Sequence, residues 1–411
     1  MPIMVLYWVQ TKIIFYSKCS WLLFLFSDTL VLLSLFISLI CWVILGERFL
    51  FLSFLNIGYF LVFILFTINM VYTQNLFSMF LFFEFIFLPS LYFVYISGYA
   101  KRVDKSIKFL LLWTFLGSLV VFFSLVYLYS LELSLQVDLI LDLAFTEEEV
   151  WCLSLSFFIG FGVKLPIWPF HYWLTKVHVE APAGFSIFLS GFLVKTALYC
   201  LYFFYNLFCV TAVKYFMLGI VGWGILDSSC RMWAVIDIKR LIAFATIQEM
   251  NLIYLCLLLA NNTSYLLVNL FILVHGILSA LFFFLIDQIQ KRFYTRNIFS
   301  IGGLGIKFTF LPILLWVALL IFRGFPLFIK FFIEWEILVL LLENFLFIGI
   351  FFFFILNSFA VLGFSRIIFI LLYGIPKISI VYSIDLLKKD FIIGSLLIGF
   401  LFILSFGIFF F

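Results

Sequence analysis

The chain has 411 residues, of which 67% are hydrophobic and 11% are charged, and its formal net charge is +4. Apolar runs of about twenty residues recur throughout, which excludes a soluble globular protein and predicts a polytopic helical membrane protein. A transmembrane barrel is excluded because its strands would alternate apolar and polar residues. The 63 phenylalanines suggest a T-rich gene, as in an organelle genome.

About twelve membrane-spanning helices are predicted, each needing about 20 apolar residues. In chain order they lie near residues 21–45, 50–71, 76–97, 109–130, 150–173, 183–205, 213–229, 240–260, 264–286, 309–341, 345–372 and 391–411. Residues 1–16 are short and interrupted by Lys12, so an interfacial helix is expected there. No cleavable signal segment is recognisable.

Neither cysteines nor glycines form a cofactor motif. The seven cysteines lack the C-x-x-C and Cys/His spacings of iron–sulfur and zinc sites. No glycine-rich phosphate loop follows a strand pattern, and IGGLG at 301–305 indicates a loop. We therefore predict no cofactor or metal in this chain, and no nucleic-acid partner.

Basic residues segregate between the predicted loops. One side holds most of the 24 Lys and Arg, for example KRVDKSIK at 101–108. The opposite side includes an acidic run between residues 132 and 149. This alternation supports the helix count and identifies the inner side of the membrane.

Two lysines are predicted deep in the membrane. Lys164 and Lys195 lie roughly 21 Å and 18 Å along their helices. A lysine near the bilayer centre costs roughly 2.5–3.5 kcal/mol, so each requires a structural or functional reason. Glu84, His275 and Glu334 are predicted at similar depth on three other helices.

These five groups have two interpretations. They are either packing ion pairs and satisfied core residues, or members of a proton path. Because a Glu/Lys pair changes its proton affinity when the partner moves, and five such groups lie on five helices, we favour proton translocation. Further candidate residues are His171, His178, Lys239, Glu249 and Lys330.

Two predicted helices contain breaks. The fifth breaks at Pro166 and Pro169, and the tenth at Gly324 and Pro326. Backbone groups freed there need internal partners, so hydration is expected. The broken helices run in opposite directions, which predicts an inverted repeat of two five-helix units. The predicted segments are 1–49 (interfacial segment and first span), 50–205 (first unit), 213–372 (second unit) and 373–411 (loop and last span).

Several motifs, in order, resemble one family. GVKLPIWPFHYWLTKVHVEAPAGFSIFLSGFLVK, with HVEAP as its most specific part, is preceded by LFFEFIFLPSLYF. It is followed by DIKRLIAFATIQEM, LVHGILSALFF and GFPLFIKFFIEWEIL. Together they resemble the antiporter-like proton-pumping subunits of NADH:ubiquinone oxidoreductase (respiratory complex I) of the chain 4 or chain M type. The resemblance covers roughly residues 28–372.

The resemblance implies roles for these residues. Glu84 and Lys164 match the family's glutamate and central lysine, and Lys195 matches its connecting lysine. His275 and Glu334 match the histidine and the terminal glutamate of the second half. Lys239 matches a lysine that we interpret as structural or lateral.

The resemblance also implies an assembly. The chain is expected in the mitochondrial inner membrane, with its Lys/Arg-rich loops on the matrix side, as a subunit of the H+-translocating NADH:ubiquinone reductase. NADH, FMN, iron–sulfur clusters and ubiquinone are expected in partner subunits, which include the antiporter-like chains 2 and 5 and accessory subunits, with phospholipids around them. The alternatives are a subunit of a multi-subunit cation/proton antiporter and a structural membrane scaffold.

Three features depart from the family pattern. The chain lacks two helices that usually precede SDTLVLLSLF, and lipid, an accessory subunit or a separate fragment is expected in their place. Glu249 stands where the family often has histidine, which puts that residue's hydration role in doubt. Lys330 replaces a small or polar residue. Because a permanent cation on the axis would impede proton transfer, Lys330 is expected to face a neighbouring subunit or lipid headgroups.

Overall fold

The structure is a computed structural model that describes residues 21–46, 53–97, 100–132, 134–141, 143, 145–207, 211–259, 265–374 and 385–408. The interfacial helix predicted for residues 1–16 lies outside these ranges. Within them, the regular structure is helical, apart from two isolated β-bridges. The α-helices are α1 Trp21–Gly46, α2 Ser53–Tyr72, α3 Leu76–Ser97, α4 Ala100–Glu132, α5 Val137–Leu141, α6 Glu147–Lys164, α7 Tyr172–Glu180, α8 Ala183–Phe188, α9 Val194–Leu207, α10 Thr211–Ala234, α11 Ile238–Leu259, α12 Tyr265–Phe293, α13 Leu304–Lys307, α14 Phe310–Phe322, α15 Ile329–Tyr373 and α16 Lys388–Ile408.

Long apolar helices dominate the described part of the chain. By length and composition, four segments could each cross a membrane, namely Ser106–Leu131, Ala183–Tyr205, Ile238–Leu259 and Leu267–Phe293. The last three are almost fully buried among other helices, whereas the first is mostly exposed. An apolar face without protein cover suits contact with lipid chains.

Helix α12 lies at the centre of the bundle. It packs against α1, α8, α11, α14, α15 and α16. Its Gly276 allows α1 to approach closely, because a Cβ there would lie 2.7 Å from Leu33 Cδ1. Gly191 meets Ile37 of α1 in the same way. Small residues of this kind allow close helix contact in membranes, where exclusion from water supplies no force.

The first predicted break separates α6 from α7. Pro166 lacks the amide needed to continue α6, which ends at Lys164. Two of the freed carbonyl groups are hydrogen-bonded by side chains. Trp173 Nε1 donates to Val163 O at 2.7 Å, and Asn251 Nδ2 donates to Pro166 O at 3.3 Å. Protein groups therefore satisfy part of the break that was expected to be hydrated.

The second predicted break separates α14 from α15. Gly324 has φ +64°, in the left-handed region that favours glycine. The carbonyl of Phe322, at the end of α14, accepts a hydrogen bond of 2.7 Å from Lys330 Nζ. At each break, therefore, a residue that follows the gap binds a carbonyl that precedes it.

Helix α15 contains the end of the predicted span 309–341 and the whole of the span 345–372. It is helical over 45 residues, yet the Asn357 side chain is hydrogen-bonded to the Glu334 carboxyl group. A straight helix would place these residues roughly 34 Å apart. The chain therefore turns back between them, and the two spans predicted here lie side by side.

Candidate functional site

Glu84 and Lys164 form an ion pair beside the first break, in which the lysine is buried and the glutamate is partly exposed. Glu84 lies on α3 and Lys164 is the last residue of α6. Lys164 Nζ is 2.5 Å from Glu84 Oε1, and the lysine side chain is only 1% exposed. The rings of Phe83 and Phe87 lie 4.2 Å and 4.5 Å from the ammonium group. Cation–π contacts and the carboxylate together compensate for lost hydration of the lysine.

Lys195 lies near the start of α9. It follows a π-helical turn, Leu189–Leu193, and is fully buried. Its Nζ donates a hydrogen bond to Ser190 O. It also interacts electrostatically with Glu249 of α11. π-Helical turns are frequent at functional sites, because the wider turn changes the direction of nearby side chains.

A second cluster surrounds Lys330 near the second break. Its Nζ donates to Glu249 Oε1 and lies 3.9 Å from Glu334 Oε1. The ring of Phe322 is 4.0 Å from the same ammonium group. On the other side of Glu249, Oε2 lies 3.9 Å from His275 Nε2. Two carboxylates and a histidine therefore surround one lysine.

A small cavity lies within this cluster. Its lining residues are Gln248, Glu249, Leu252, Phe271, Phe322, Lys330, Glu334, Ile337, Asn357 and Val361. The expectation that Lys330 faces a neighbouring subunit or lipid headgroups is therefore wrong. The reason is Glu249, which supplies an anion at the same depth and removes the objection to an unpaired cation on the axis.

Glu334 packs against the glycine of the second break. An ideal Cβ built on Gly324 would lie 2.5 Å from Glu334 Oε2. The Glu334 side chain is 21% exposed, compared with 4% for Glu249. Glu334 is therefore the more exposed of the two carboxylates in this cluster.

Two further candidate histidines lie outside both clusters. His171, in the first break, has Nε2 3.2 Å from Asp227 Oδ2, and Arg231 binds the other oxygen of Asp227 at 2.9 Å. His178 is fully buried and stacks on Phe283, with ring centroids 4.7 Å apart. Neither ring nitrogen of His178 has a hydrogen-bond partner among the described residues.

Lys239 binds the end of the first broken helix. Its Nζ donates to Ala181 O, directly after α7, and Arg296 donates to Val179 O. Cations at these carbonyl groups complement the negative end of the helix. The interpretation of Lys239 as a structural or lateral residue stays a prediction.

Three polar residues at the breaks were missed by the sequence analysis. Trp173 and Asn251 bind the first break, and Asn357 binds Glu334. Of these three, only Asn357 could have been recognised in the sequence, because it is an isolated amide in the apolar run FFFFILNSF. Among the described residues, no group of three or more His, Cys, Asp and Glu side chains could hold a metal ion.

The sequence matches a family described as "NADH:quinone oxidoreductase/Mrp antiporter, TM" over residues 73–360. It is 35% identical over 345 residues to "NADH-ubiquinone oxidoreductase chain 4" of Paramecium tetraurelia, covering 84% of this chain and 73% of that protein. The chain belongs to this family. The protein of the same name from Acanthamoeba castellanii is 31% identical over 377 residues, covering 89% of this chain and 74% of that protein.

Solved structures show the same antiporter-family fold. Respiratory complex I from Thermus thermophilus contains a chain that matches with a TM-score of 0.79 and 20% identity, covering 93% of this chain and 80% of that one. The Mrp complex from Dietzia sp. contains another, with a TM-score of 0.82, 14% identity and coverage of 93% and 80%. The predicted all-α, antiporter-like membrane fold is confirmed.

The antiporter-family fold places four of the five predicted groups in two clusters, and the fifth, Lys195, interacts electrostatically with Glu249 of the second cluster. Glu84 and Lys164 form the first. His275 and Glu334 belong to the second, with Glu249 and Lys330 between them. Their roles in proton transfer, like the division at residues 49, 205 and 372, stay predictions.

Proposed function

We propose that this chain is a proton-translocating membrane-arm subunit of respiratory complex I in the mitochondrial inner membrane. The observation that carries the proposal is the ion pair between buried Lys164 and partly exposed Glu84 at a helix break. An ion pair at this depth adds little stability by itself, because desolvation offsets the attraction between its charges. Its position beside a break instead allows one member to move.

Movement of Glu84 would transfer protons by changing the charge balance around Lys164. While the pair is closed, the carboxylate stabilises the ammonium group. When Glu84 moves away, the buried ammonium group loses that compensation and releases its proton. The receiving groups are Lys195, then the His275 cluster, and finally Glu334.

Electron transfer belongs to other subunits in this proposal. NADH, FMN, iron–sulfur clusters and ubiquinone bind there, and this chain receives a conformational or electrostatic signal. The antiporter-like chains 2 and 5 are its proposed neighbours, with accessory subunits and phospholipids at its free faces. The Lys/Arg-rich loops are placed on the matrix side by the positive-inside rule.

A cation/proton antiporter subunit is the second candidate, because the family description names both kinds of complex. The relatives reported above at 35% and 31% identity are oxidoreductase subunits by name. The similarity to the Mrp chain, at 14% identity, concerns the fold alone. Copurification in mild detergent separates the two, because only the oxidoreductase assignment requires redox partner subunits.

The test of the proposal is Lys164→Met, measured in the complete complex reconstituted into liposomes. We expect proton pumping and quinone reduction to fall by roughly tenfold or more, a loss of about 1.4 kcal/mol of barrier stabilisation. Glu84→Gln should reduce both rates as well. Normal rates in both variants would exclude the pair from the path and favour a structural scaffold.

The matched control is Lys176→Met on the second half of the same broken helix. Lys176 lies over the rings of Phe109 and Tyr172, 4.1 Å and 4.8 Å from their centroids. In the structure, the ion-pair partner of Glu84 is Lys164 and not Lys176. Its replacement should leave both rates unchanged.

A further inference from the structure

Two lysine–glutamate pairs occupy equivalent places in the order of helices. In the first predicted five-helix unit, Glu84 lies on the second helix and Lys164 beside the break in the fourth. In the second unit, Glu249 lies on the second helix and Lys330 beside the break in the fourth. Both pairs are made by direct contact between ammonium and carboxylate groups.

The local surroundings of the two lysines are also alike. Lys164 lies over the rings of Phe83 and Phe87, and Lys330 over that of Phe322. Both lysine side chains are at most 5% exposed. The second unit therefore repeats the arrangement of the first, although sequence analysis did not predict this pairing.

Lys330 differs in having a second carboxylate within reach. Glu334, one helical turn away on α15, has Oε1 3.9 Å from Lys330 Nζ. A movement of about 1 Å would bring this contact to the length of a charge-assisted hydrogen bond. One ammonium group thus has two alternative partners, Glu249 and Glu334.

The charges of the cluster favour one additional proton. Lys330 contacts two adjacent carboxylates, but it donates a hydrogen bond only to Glu249 and lies 3.9 Å from Glu334. Two carboxylates that share a buried site do not readily ionise together, so one proton is shared between them. The other charged groups that face the cluster are His275 and, through electrostatic interaction with Glu249, Lys195. Asn357 and Gln248 add neutral amide groups.

We propose that Lys330 is a positioning switch for the second unit, alternating between Glu249 and Glu334 so that a proton passes from the His275 side to the Glu334 side. The inference rests on the proposed function, since it assigns one step of the same path. In the conformation observed, Lys330 pairs with Glu249, and the proposal assigns the proton to Glu334.

The transfer is balanced in protons and charges. When Lys330 moves to Glu334, the Glu334 carboxylic acid releases its proton to the exit side and becomes the carboxylate partner. Glu249, now unpaired, takes up a proton that passes through His275, which is neutral before and after the transfer. When Lys330 returns, the proton on Glu249 passes to Glu334. One proton has then moved from the His275 side to the exit side, and Lys330 has remained an ammonium group.

The competing interpretation is a purely structural ion pair. Removing one member of such a pair leaves a buried charge without compensation and is strongly destabilising. Replacing both members by neutral residues is often tolerated. The two interpretations therefore differ in the behaviour of the doubly neutral variant.

The experiment compares Lys330→Met with the double variant Glu249→Gln/Lys330→Met in the complete complex in liposomes. For a switch, the double variant should assemble but pump roughly tenfold less than the unaltered complex. Normal pumping by the double variant would overturn the proposal. This conclusion also holds if the single variant Lys330→Met fails to assemble. Lys388→Met, which removes an exposed lysine at the start of α16, is the matched control and should have no effect.

Infrared difference spectra supply a readout that a structural role would not change. Glu334→Gln should remove the signal of a protonated carboxylic acid from the resting complex. Glu249→Gln should remove a signal that appears only during turnover. If the resting signal is unaffected by Glu334→Gln, the assigned proton position is wrong and the proposal fails.

Lys164→Met separates this inference from the proposed function. If that variant is defective while the double variant pumps normally, the path exists but Lys330 is not a switch. If Lys164→Met also pumps normally, the proposed function itself fails.

Discussion

Lys330 and Glu249, which lie 81 residues apart in the chain, form a buried ion pair beside the second helix break. Each residue is a departure from the family pattern, and each alone would place an uncompensated charge in the membrane. Together they are neutral. The structure therefore explains the two departures as one feature, whereas separate consideration of the two residues led to the wrong position for Lys330.

Gly324→Ala should impair proton pumping more than assembly. Its left-handed φ costs a non-glycine residue about 1–2 kcal/mol. The new Cβ would also lie 2.5 Å from Glu334 Oε2 and force that carboxyl group to move. We expect a roughly tenfold loss of pumping per assembled complex. Proton uptake by liposomes, normalised to complex content, measures the effect.

Gly219→Ala is the control for this change. Gly219 lies within α10, and a Cβ there meets nothing within 4 Å. Alanine stabilises a helix interior relative to glycine, so assembly and pumping should be unchanged or slightly improved. A normal pumping rate for Gly324→Ala would show that the Glu334 carboxyl group tolerates displacement.

Trp173→Phe should destabilise the first break. It keeps the ring packing of a fully buried residue but removes the Nε1 donor to Val163 O. A buried carbonyl group left without its partner costs about 1–3 kcal/mol. The half-life of the assembled complex at a fixed elevated temperature should therefore fall by about fivefold or more. Trp316→Phe, at an exposed position on α14, should have no such effect.

The features that could be predicted from the sequence are those marked by charged or helix-breaking residues. The deep positions of Glu84 and Lys164 and the two breaks were evident from apolar runs interrupted by charge, proline and glycine. The predicted spans 309–341 and 345–372 also implied an interruption at residues 342–344, but these residues are helical within α15.

Partner choice between distant helices was harder to predict. Spacing of four residues brings Lys330 close to Glu334, but it does not show that Glu249 faces both. Rotation of α11 about its axis decides that contact. Because α11 is buried on nearly every side, its sequence pattern does not mark one face. Trp173 and Asn251 were missed for a related reason. Burying a neutral polar side chain in a membrane helix costs less free energy than burying a charge, so such residues were not selected as candidates.

Lys239→Met should reduce assembly while leaving the pumping of the assembled complex intact. The side chain is buried and binds Ala181 O at the end of α7. Losing this cation exposes a buried carbonyl group and weakens the junction between α7 and α11. The amount of complex and its pumping rate per complex should be measured separately. Arg240→Met, an exposed neighbour on α11, is the control.

A different outcome would change the role of Lys239. If the variant assembles in normal amounts but pumps slowly, the lysine belongs to the proton path. The structural role would then be wrong.

Asp385→Asn should loosen the attachment of the last helix. Asp385 lies outside the membrane spans, just before α16. Its Oδ2 accepts hydrogen bonds from the amides of Thr309 and Phe310 at the start of α14, each at 2.8 Å, and Arg292 donates to its backbone carbonyl at 2.9 Å. Loss of such a cap costs about 1 kcal/mol. Asp104→Asn, at an exposed position on α4, is the control.

The pH dependence of this effect follows from the pKa of Asp385. Partial burial acts to raise that pKa, but hydrogen bonds from the Phe310 and Thr309 amides outweigh it, and the pKa is lowered from 3.8. A group with a lowered folded pKa stabilises above its unfolded pKa and loses that contribution as pH falls through the folded value. The difference in thermal inactivation between Asp385 and Asp385→Asn complexes should therefore stay constant from about pH 5 to pH 8 and narrow only below about pH 4. A difference that already disappears between about pH 7 and pH 5 would contradict the lowered pKa, because it requires a carboxyl group that takes up its proton more readily when folded.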